Sequence, residues 1–330
     1  MTNTKSEPKT VVIGGGTGLS TMLRGLKKAT GKLTAIVTVA DDGGGSGVLR
    51  AELGMPPPGD IRNCIQALAN TEPAMEALLS YRFTEGTLRG QSFGNLFLAA
   101  LNGMSASFDE AVRKMGEVLA LTGRVLPVTN EDIHLLAEFT DGRKVLGESK
   151  IADHKRDSVI GRICLVPDAV TALPECIRAI EDAELIVLGP GSLYTSIIPN
   201  LLVDGISAAI AKSEAVRVYV LNVMTQAGET EGYAASDHIR ALFDHSGEKL
   251  VDYCLANVRQ MPPEILERYR GEGAEPCVID SANLNALGVE LVTGEISATG
   301  DIYARHDPDA LAAALMELYR NYSPTKIYNR

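Results

Sequence analysis

Residues 11–20 read VVIGGGTGLS, an apolar run that stops in three glycines, a threonine and a fourth glycine. Leu19, Met22, Leu23 and Leu26 follow at helical spacing, so a strand, a tight turn and a helix succeed one another directly. Such a connection sets unpaired backbone N–H groups and the positive end of a helix at the strand's carboxyl end, where an anion is stabilised. The candidates there are Gly14, Gly15, Gly16, Thr17 and Gly18. Their spacing is not the dinucleotide GxGxxG, because Leu19 holds the last glycine position, and the Gly-Lys-Ser/Thr ending of a nucleotide-hydrolysing loop is absent. A plain strand-to-helix turn with no ligand stays open at this point.

Outward from this turn the same alternation continues. Residues 10–13, 33–40, 185–188, 216–221 and 250–256 are short aliphatic or β-branched runs separated by helical stretches. The fold class this predicts is α/β, a doubly wound, mostly parallel sheet covered on both faces. Residues of about 61–122 carry a 3.6-residue apolar period throughout and read as a helical insertion. Residues of about 133–150 alternate around Asp141-Gly142 and read as a β-hairpin beside the main sheet. All 330 residues are expected in one domain, with 1–9 and 323–330 loosely held.

Composition narrows the function classes. A formal net charge of -11 argues against a nucleic-acid binder, which needs a basic face. The cysteines Cys64, Cys164, Cys176, Cys254 and Cys277 are odd in number and form no CxxC pair, so they read as reduced core residues. No apolar stretch reaches a membrane span and residues 1–9 contain no apolar leader segment, so a cytoplasmic location is expected.

Three further loops follow apolar strands. VADDGGGSG brings Asp41 and Asp42, then Gly43, Gly44 and on to Gly47, where a dinucleotide fold has a single ribose-binding acid. The two carboxylates suit a divalent cation such as Mg²⁺ held with a phosphate, or a turn cap beside a solvated acid. LGPGSLYTS offers Gly189, Pro190, Gly191, Ser192, Thr195 and Ser196, and NVMTQAGET offers Asn222 and Thr225. In an open parallel sheet these strand ends share one rim, so a phosphate-bearing ligand is expected there. GMPPPGDIRNC adds Asp60, Arg62 and Asn63, either as a rigid helix start capped by Asp60 or as an edge presenting Arg62 to phosphate. In GDIYARHDPDALAAAL, Arg305 stands ready to clamp a diphosphate and Tyr303 or His306 to contact a base or ribose, with surface pairing of Arg305 to Asp307 or Asp309 as the plain alternative, and Asp307-Pro308 opens a helix. His134, His154, His238 and His245 lie outside the four loops and read as surface or packing residues rather than general bases.

VVIGGGTGLSTMLRGLK, TAIVTVADDGGGSGVLR, MPPPGDIRNCIQALA, FGNLFLAAL, LGPGSLYTSIIPNLL and NVMTQAGET together resemble the CofD/YvcK family, and within it the YvcK branch of bacterial gluconeogenesis factors. The resemblance runs from about residue 10 to about 310 and adds Asn95, in FGNLFLAAL, to the candidates. It implies a Rossmann-like core with a helical elaboration. It also implies two roles. CofD members transfer a phospholactyl group from a guanosine diphosphate carrier to a deazaflavin alcohol with Mg²⁺. YvcK members are linked to cell shape and growth on gluconeogenic carbon sources and are associated with UDP-sugars such as UDP-N-acetylglucosamine. Val39-Ala40-Asp41-Asp42 departs from the Asn-Thr-Gly-Asp-Asp pattern of CofD members, and the triple proline before Asp60 is similar to YvcK members.

The reading that results is a regulatory nucleotide-sugar binder rather than an enzyme, with no certain cofactor. The diphosphate is expected on the loops 14–18 and 189–192, Asp41 and Asp42 on ribose or a metal, and Arg305 on phosphate. The rival is a transferase using the same cradle with Mg²⁺ on Asp41 and Asp42. A nicotinamide-dependent oxidoreductase fits the glycine spacing poorly. A homo-oligomer and a protein partner in cell-wall or carbon metabolism complete the expectations.

Overall fold

The computed structural model describes residues 7–153, 158–298 and 303–322. Its strands in chain order are β1 (Thr10–Gly14), β2 (Leu33–Val37), β3 (Arg124–Pro127), β4 (His134–Phe139), β5 (Lys144–Leu146), β6 (Ile160–Val166), β7 (Leu185–Leu188), β8 (Val216–Val220), β9 (Tyr253–Asn257) and β10 (Glu290–Gly294). Seven of them form one sheet in the order β10-β9-β8-β7-β1-β2-β3. Every pairing in it is parallel.

The central strands are apolar because both their faces are covered. All residues of β1, β2 and β7 are buried, and a strand with no solvent face has no position for alternation. The edge strands escaped the sequence reading for the same reason inverted. The four residues of β3 include Arg124 and Pro127, and β10 is only partly buried, so neither shows the continuous apolar run of a central strand.

The helical insertion lies between β2 and β3. It contains Gly59–Leu68, Pro73–Ser80, Phe93–Gly103 and Phe108–Val118, and it is broken by residues 81–92, where Arg82 and Ser92 pair antiparallel. A further helix, Gly44–Leu53, starts inside the glycine run expected to be a loop. Gly43 is its N-cap, so Gly44 to Gly47 form a helix N-terminus.

The hairpin is present, with Gly142 in the left-handed region at its tip and the Arg143 N–H donating to Asp141 Oδ1. It belongs to a second, antiparallel sheet, β5-β4-β6, whose third strand was not anticipated. The hairpin is shorter than expected, because residues 148–150 belong to the helix Glu148–Asp153. Residues 7–9 are not loose: Glu7 Oε2 accepts from the Gly31 N–H and the Lys9 N–H donates to Glu184. Residues 1–6 and 323–330, with His154, lie outside the described residues.

Candidate functional site at the sheet switch point

From β1 the chain winds outward through β2 to β3, and it returns to β1's other side through β7 and continues to β10. The winding direction therefore changes between β1 and β7, the place where open parallel sheets bind ligands. A cavity of about 280 Å³ opens there. Thr17 and Gly18 line it from the first loop, Pro190, Gly191 and Ser192 from the third, Asn222 and Thr225 from the fourth, and Arg305 from the terminal segment.

Each wall is built by local chemistry. The helix Gly16–Ala29 has Gly15 as N-cap with no side-chain cap from it; Asp60 takes the Gly16 N–H, which leaves those of Thr17 and Gly18 for a ligand. Gly16 has φ +69, and a Cβ on Gly18 would lie 2.7 Å from the Pro190 carbonyl oxygen, so only glycine lets the two loops meet. The Gly191 N–H donates to Asn222 Oδ1 at 3.3 Å and Asn222 Nδ2 donates to the Gly191 carbonyl at 2.8 Å, which ties the third loop to the fourth. Ser192 Oγ donates to Gln226 Oε1 at 2.8 Å. Thr225 is held by two hydrogen bonds with the backbone of Glu275, at 2.7 and 2.9 Å. Gly14 and Gly189 support the loops from beneath: the Gly14 carbonyl accepts from Asn200 Nδ2 at 3.1 Å, and Gly189 has φ +77.

Arg305 reaches the cavity because the helix Pro308–Tyr322 packs on Gly16–Ala29. A Cβ on Gly25 would meet the Pro308 carbonyl oxygen at 1.8 Å. The plain pairing alternatives for Arg305 are occupied otherwise: Asp307 Oδ1 caps Asp309 and Ala310, and Asp309 pairs with Lys28 at 2.7 Å. The Arg305 guanidinium instead stacks over Tyr303, 5.5 Å from the ring centroid. Tyr269 and His306 also line the cavity, and Tyr303 does not; Tyr269 was not among the candidates, since only neighbourhood in three dimensions brings it there. His306 is buried and its pKa is pushed down to about 4 by desolvation, so the ring is neutral at pH 7.

The carboxylates stand apart from this cavity wall. Gly15 allows Asp60 to come close, since a Cβ there would lie 2.6 Å from Asp60 Oδ2. Asp60 is in the first turn of Gly59–Leu68 and is not its cap, which is Pro58. Burial, then the Asp41 charge, raises the Asp60 pKa to about 6, against a hydrogen bond from the Gly16 backbone. Burial likewise raises Asp41. Glu148, unmarked in the sequence, is raised to about 7 by burial and then by Asp41, Asp42, Glu229 and Asp60. The five carboxylates come from segments far apart in the chain, which is why no local motif announces the cluster.

Asp41 and Asp42 diverge. Asp41 Oδ1 accepts from the Gly43 N–H at 2.8 Å, and Asp42 Oδ1 accepts from the Ser149 N–H at 2.7 Å, across to the small sheet's helix. Among the described residues no group of three or more His, Cys, Asp or Glu has the arrangement to hold a metal ion. Arg62 is braced in the insertion, its Nε donating to Asn95 Oδ1 at 3.2 Å and its Nη1 to Gln66 at 3.3 Å. Arg62, Asn63 and Asn95 do not line the switch-point cavity. Thr195 is buried and donates to Glu229 Oε1 at 3.4 Å.

His238 and His245 lie within the helix Ala235–Ser246. Both are packing residues: His238 Nδ1 bonds the Tyr219 hydroxyl at 2.9 Å, and His245 Nε2 accepts from the Ile163 N–H at 3.0 Å. His134 stands on β4, 3.9 Å from Asp132.

Comparison with known proteins agrees with this architecture. The family model described as 2-phospho-L-lactate transferase CofD matches residues 10–297. The chain belongs to the CofD family. A protein of Thermoanaerobacterium thermosulfurigenes is 56% identical over 313 residues, covering 94% of this chain and 97% of that one. The Bacillus subtilis protein named gluconeogenesis factor is 47% identical over 315 residues, covering 95% of this chain and 99% of that one. A crystal structure of a Bacillus halodurans protein superposes with a TM-score of 0.91 at 46% identity, covering 94% of this chain and 100% of that one. No helix among the described residues of this CofD-family chain is long and apolar enough to cross a membrane.

Proposed function

We propose that this protein is a cytoplasmic gluconeogenesis-factor-type regulator that binds a UDP-sugar, such as UDP-N-acetylglucosamine or UDP-glucose, at the switch point and does not turn it over. The observation that supports this most is the composition of the cavity wall. Uncapped helix N–H groups at Thr17 and Gly18 and the loop Pro190–Ser192 share a small opening with Arg305, an arrangement suited to a diphosphate. Tyr269 and Met224 supply apolar surface for a base on the same wall. Binding then acts through cell shape and carbon use by changing the chain's partner or assembly state, a homo-oligomer included.

A second reading has an observation of its own. The family takes its description from a transferase, and the cluster of Asp41, Asp42, Asp60, Glu148 and Glu229, apart from the cavity wall, carries negative charge that a cation would offset. Ligand turnover distinguishes the two. UDP-sugar incubated with the protein, Mg²⁺ and candidate acceptor alcohols is to be recovered unchanged under the binder reading. Mg²⁺-dependent consumption that disappears in Asp41→Asn would install the transferase instead.

A further inference from the structure

A second cavity, of about 470 Å³, lies at the opposite, amino-terminal edge of the sheet. Its rim carries Lys9, Lys32 and Arg124. These residues enter three neighbouring strands. Lys9 immediately precedes β1, Lys32 immediately precedes β2, and Arg124 opens β3. Register brings them to one edge: Thr10 pairs with Leu33, which sets Lys9 against Lys32, and Arg124 pairs with Thr34, two residues further along β2 than Lys32. Neighbouring strands run about 4.8 Å apart and residues rise about 3.3 Å along each, so the backbones bearing the three cations fall within roughly 12 Å of one another.

Like charges gathered in this way repel, and the chain as a whole is acidic, with a formal net charge of -11. One carboxylate pairs with a cation's head, Asp182, which lines the same cavity and stands 3.6 Å from Lys9 Nζ; two more serve backbone amides beside the cations, Glu184 on Lys9 and Glu7 on Gly31. Among the described residues Lys32 and Arg124 have no carboxylate within 4.0 Å. Arg124 is nevertheless oriented, because its Nε donates to Thr34 Oγ1 at 3.0 Å, which leaves its terminal nitrogens directed by a fixed plane. The floor is opened by Gly123, which has φ +86 and where a Cβ would lie 2.3 Å from the Leu33 carbonyl oxygen.

We propose that this edge is a second ligand site, for a small polyanion bearing two or more phosphate or carboxylate groups. It is separate from the switch-point cavity, since β1 runs its whole length between the two. The cavity volume suits a compact metabolite, and three cations in a row match two anionic groups bridged by a short spacer.

The test is calorimetric titration with inorganic pyrophosphate and, separately, citrate, at low and moderate salt. It is run on the full chain carrying Arg305→Ala, so that binding at the switch point does not obscure the result. Saturable binding of either probe is expected, weakened at least fivefold by Lys32→Gln and at least tenfold by Lys32→Gln with Arg124→Gln. Lys32 is exposed, so its single variant stays informative even where Arg124→Gln perturbs folding. Absence of saturable binding for both probes, or binding that the Lys32→Gln variant leaves unchanged, would overturn the proposal.

Discussion

Glu148→Gln is the substitution whose effect follows most directly from the carboxylate cluster. The folded chain raises the Glu148 pKa from 4.5 to about 7, through burial first and then four neighbouring carboxylates. That difference corresponds to about 3 kcal/mol, and part exposure of the side chain brings the expected figure to about 1–3 kcal/mol. Between pH 4.5 and about 7 the folded state holds a proton that the unfolded state has released, so stability falls as pH rises through this window. Above it, wild-type protein carries the full cost of an ionised Glu148. The amide cannot ionise and keeps the shape. Thermal unfolding at pH 5 is therefore expected to show the two proteins nearly alike. At pH 8 the variant is expected to melt about 2–4 °C higher, a shift scaled to a chain of 330 residues. A variant that is less stable than wild type at pH 8, or a difference independent of pH, would refute the clustering of these charges.

Gly18→Ala places a methyl group 2.7 Å from the Pro190 carbonyl oxygen, so it is expected to part the two loops and weaken UDP-glucose binding at least tenfold by calorimetry while the chain still folds. Gly25→Ala drives a methyl into the Pro308 carbonyl; chemical denaturation should register a loss of about 1–3 kcal/mol, the usual range for overpacking. His238 is held neutral by burial, with a pKa lowered to about 4 from 6.5. The unfolded chain takes up that proton below pH 6.5 and the folded chain refuses it, so stability is lost as pH falls from 6.5 toward 4. His238→Gln, which can still accept from the Tyr219 hydroxyl, is expected to flatten this limb of the stability profile by about 1–3 kcal/mol.

The glycine turn after β1 was legible because strand, turn and helix are contiguous in sequence, and so were the loops after β7 and β8. Their convergence followed from the parallel alternation alone. What the sequence hid falls into two kinds. Edge strands β3 and β10 and the third strand of the small sheet lack the continuous apolar pattern of a buried strand, and the run Gly44–Gly47 reads as loop although Asp42 and the small sheet fix it as a helix start. Glu148 and Tyr269 carry no local signature. Glu148 reaches Asp42 only because the Ser149 N–H bonds its carboxylate across 107 residues of chain, and His306 reaches the cavity only because the terminal helix closes on Gly25.

The most direct measurement is calorimetric titration of the purified chain with UDP-N-acetylglucosamine and UDP-glucose, repeated on Arg305→Ala, with the ligand recovered and analysed afterwards. Saturable binding without added Mg²⁺, weakened at least tenfold in the variant and returning intact UDP-sugar, is the predicted result. Failure of both UDP-sugars to bind, or binding equally strong when Arg305 is lost, would contradict a diphosphate held at the switch point.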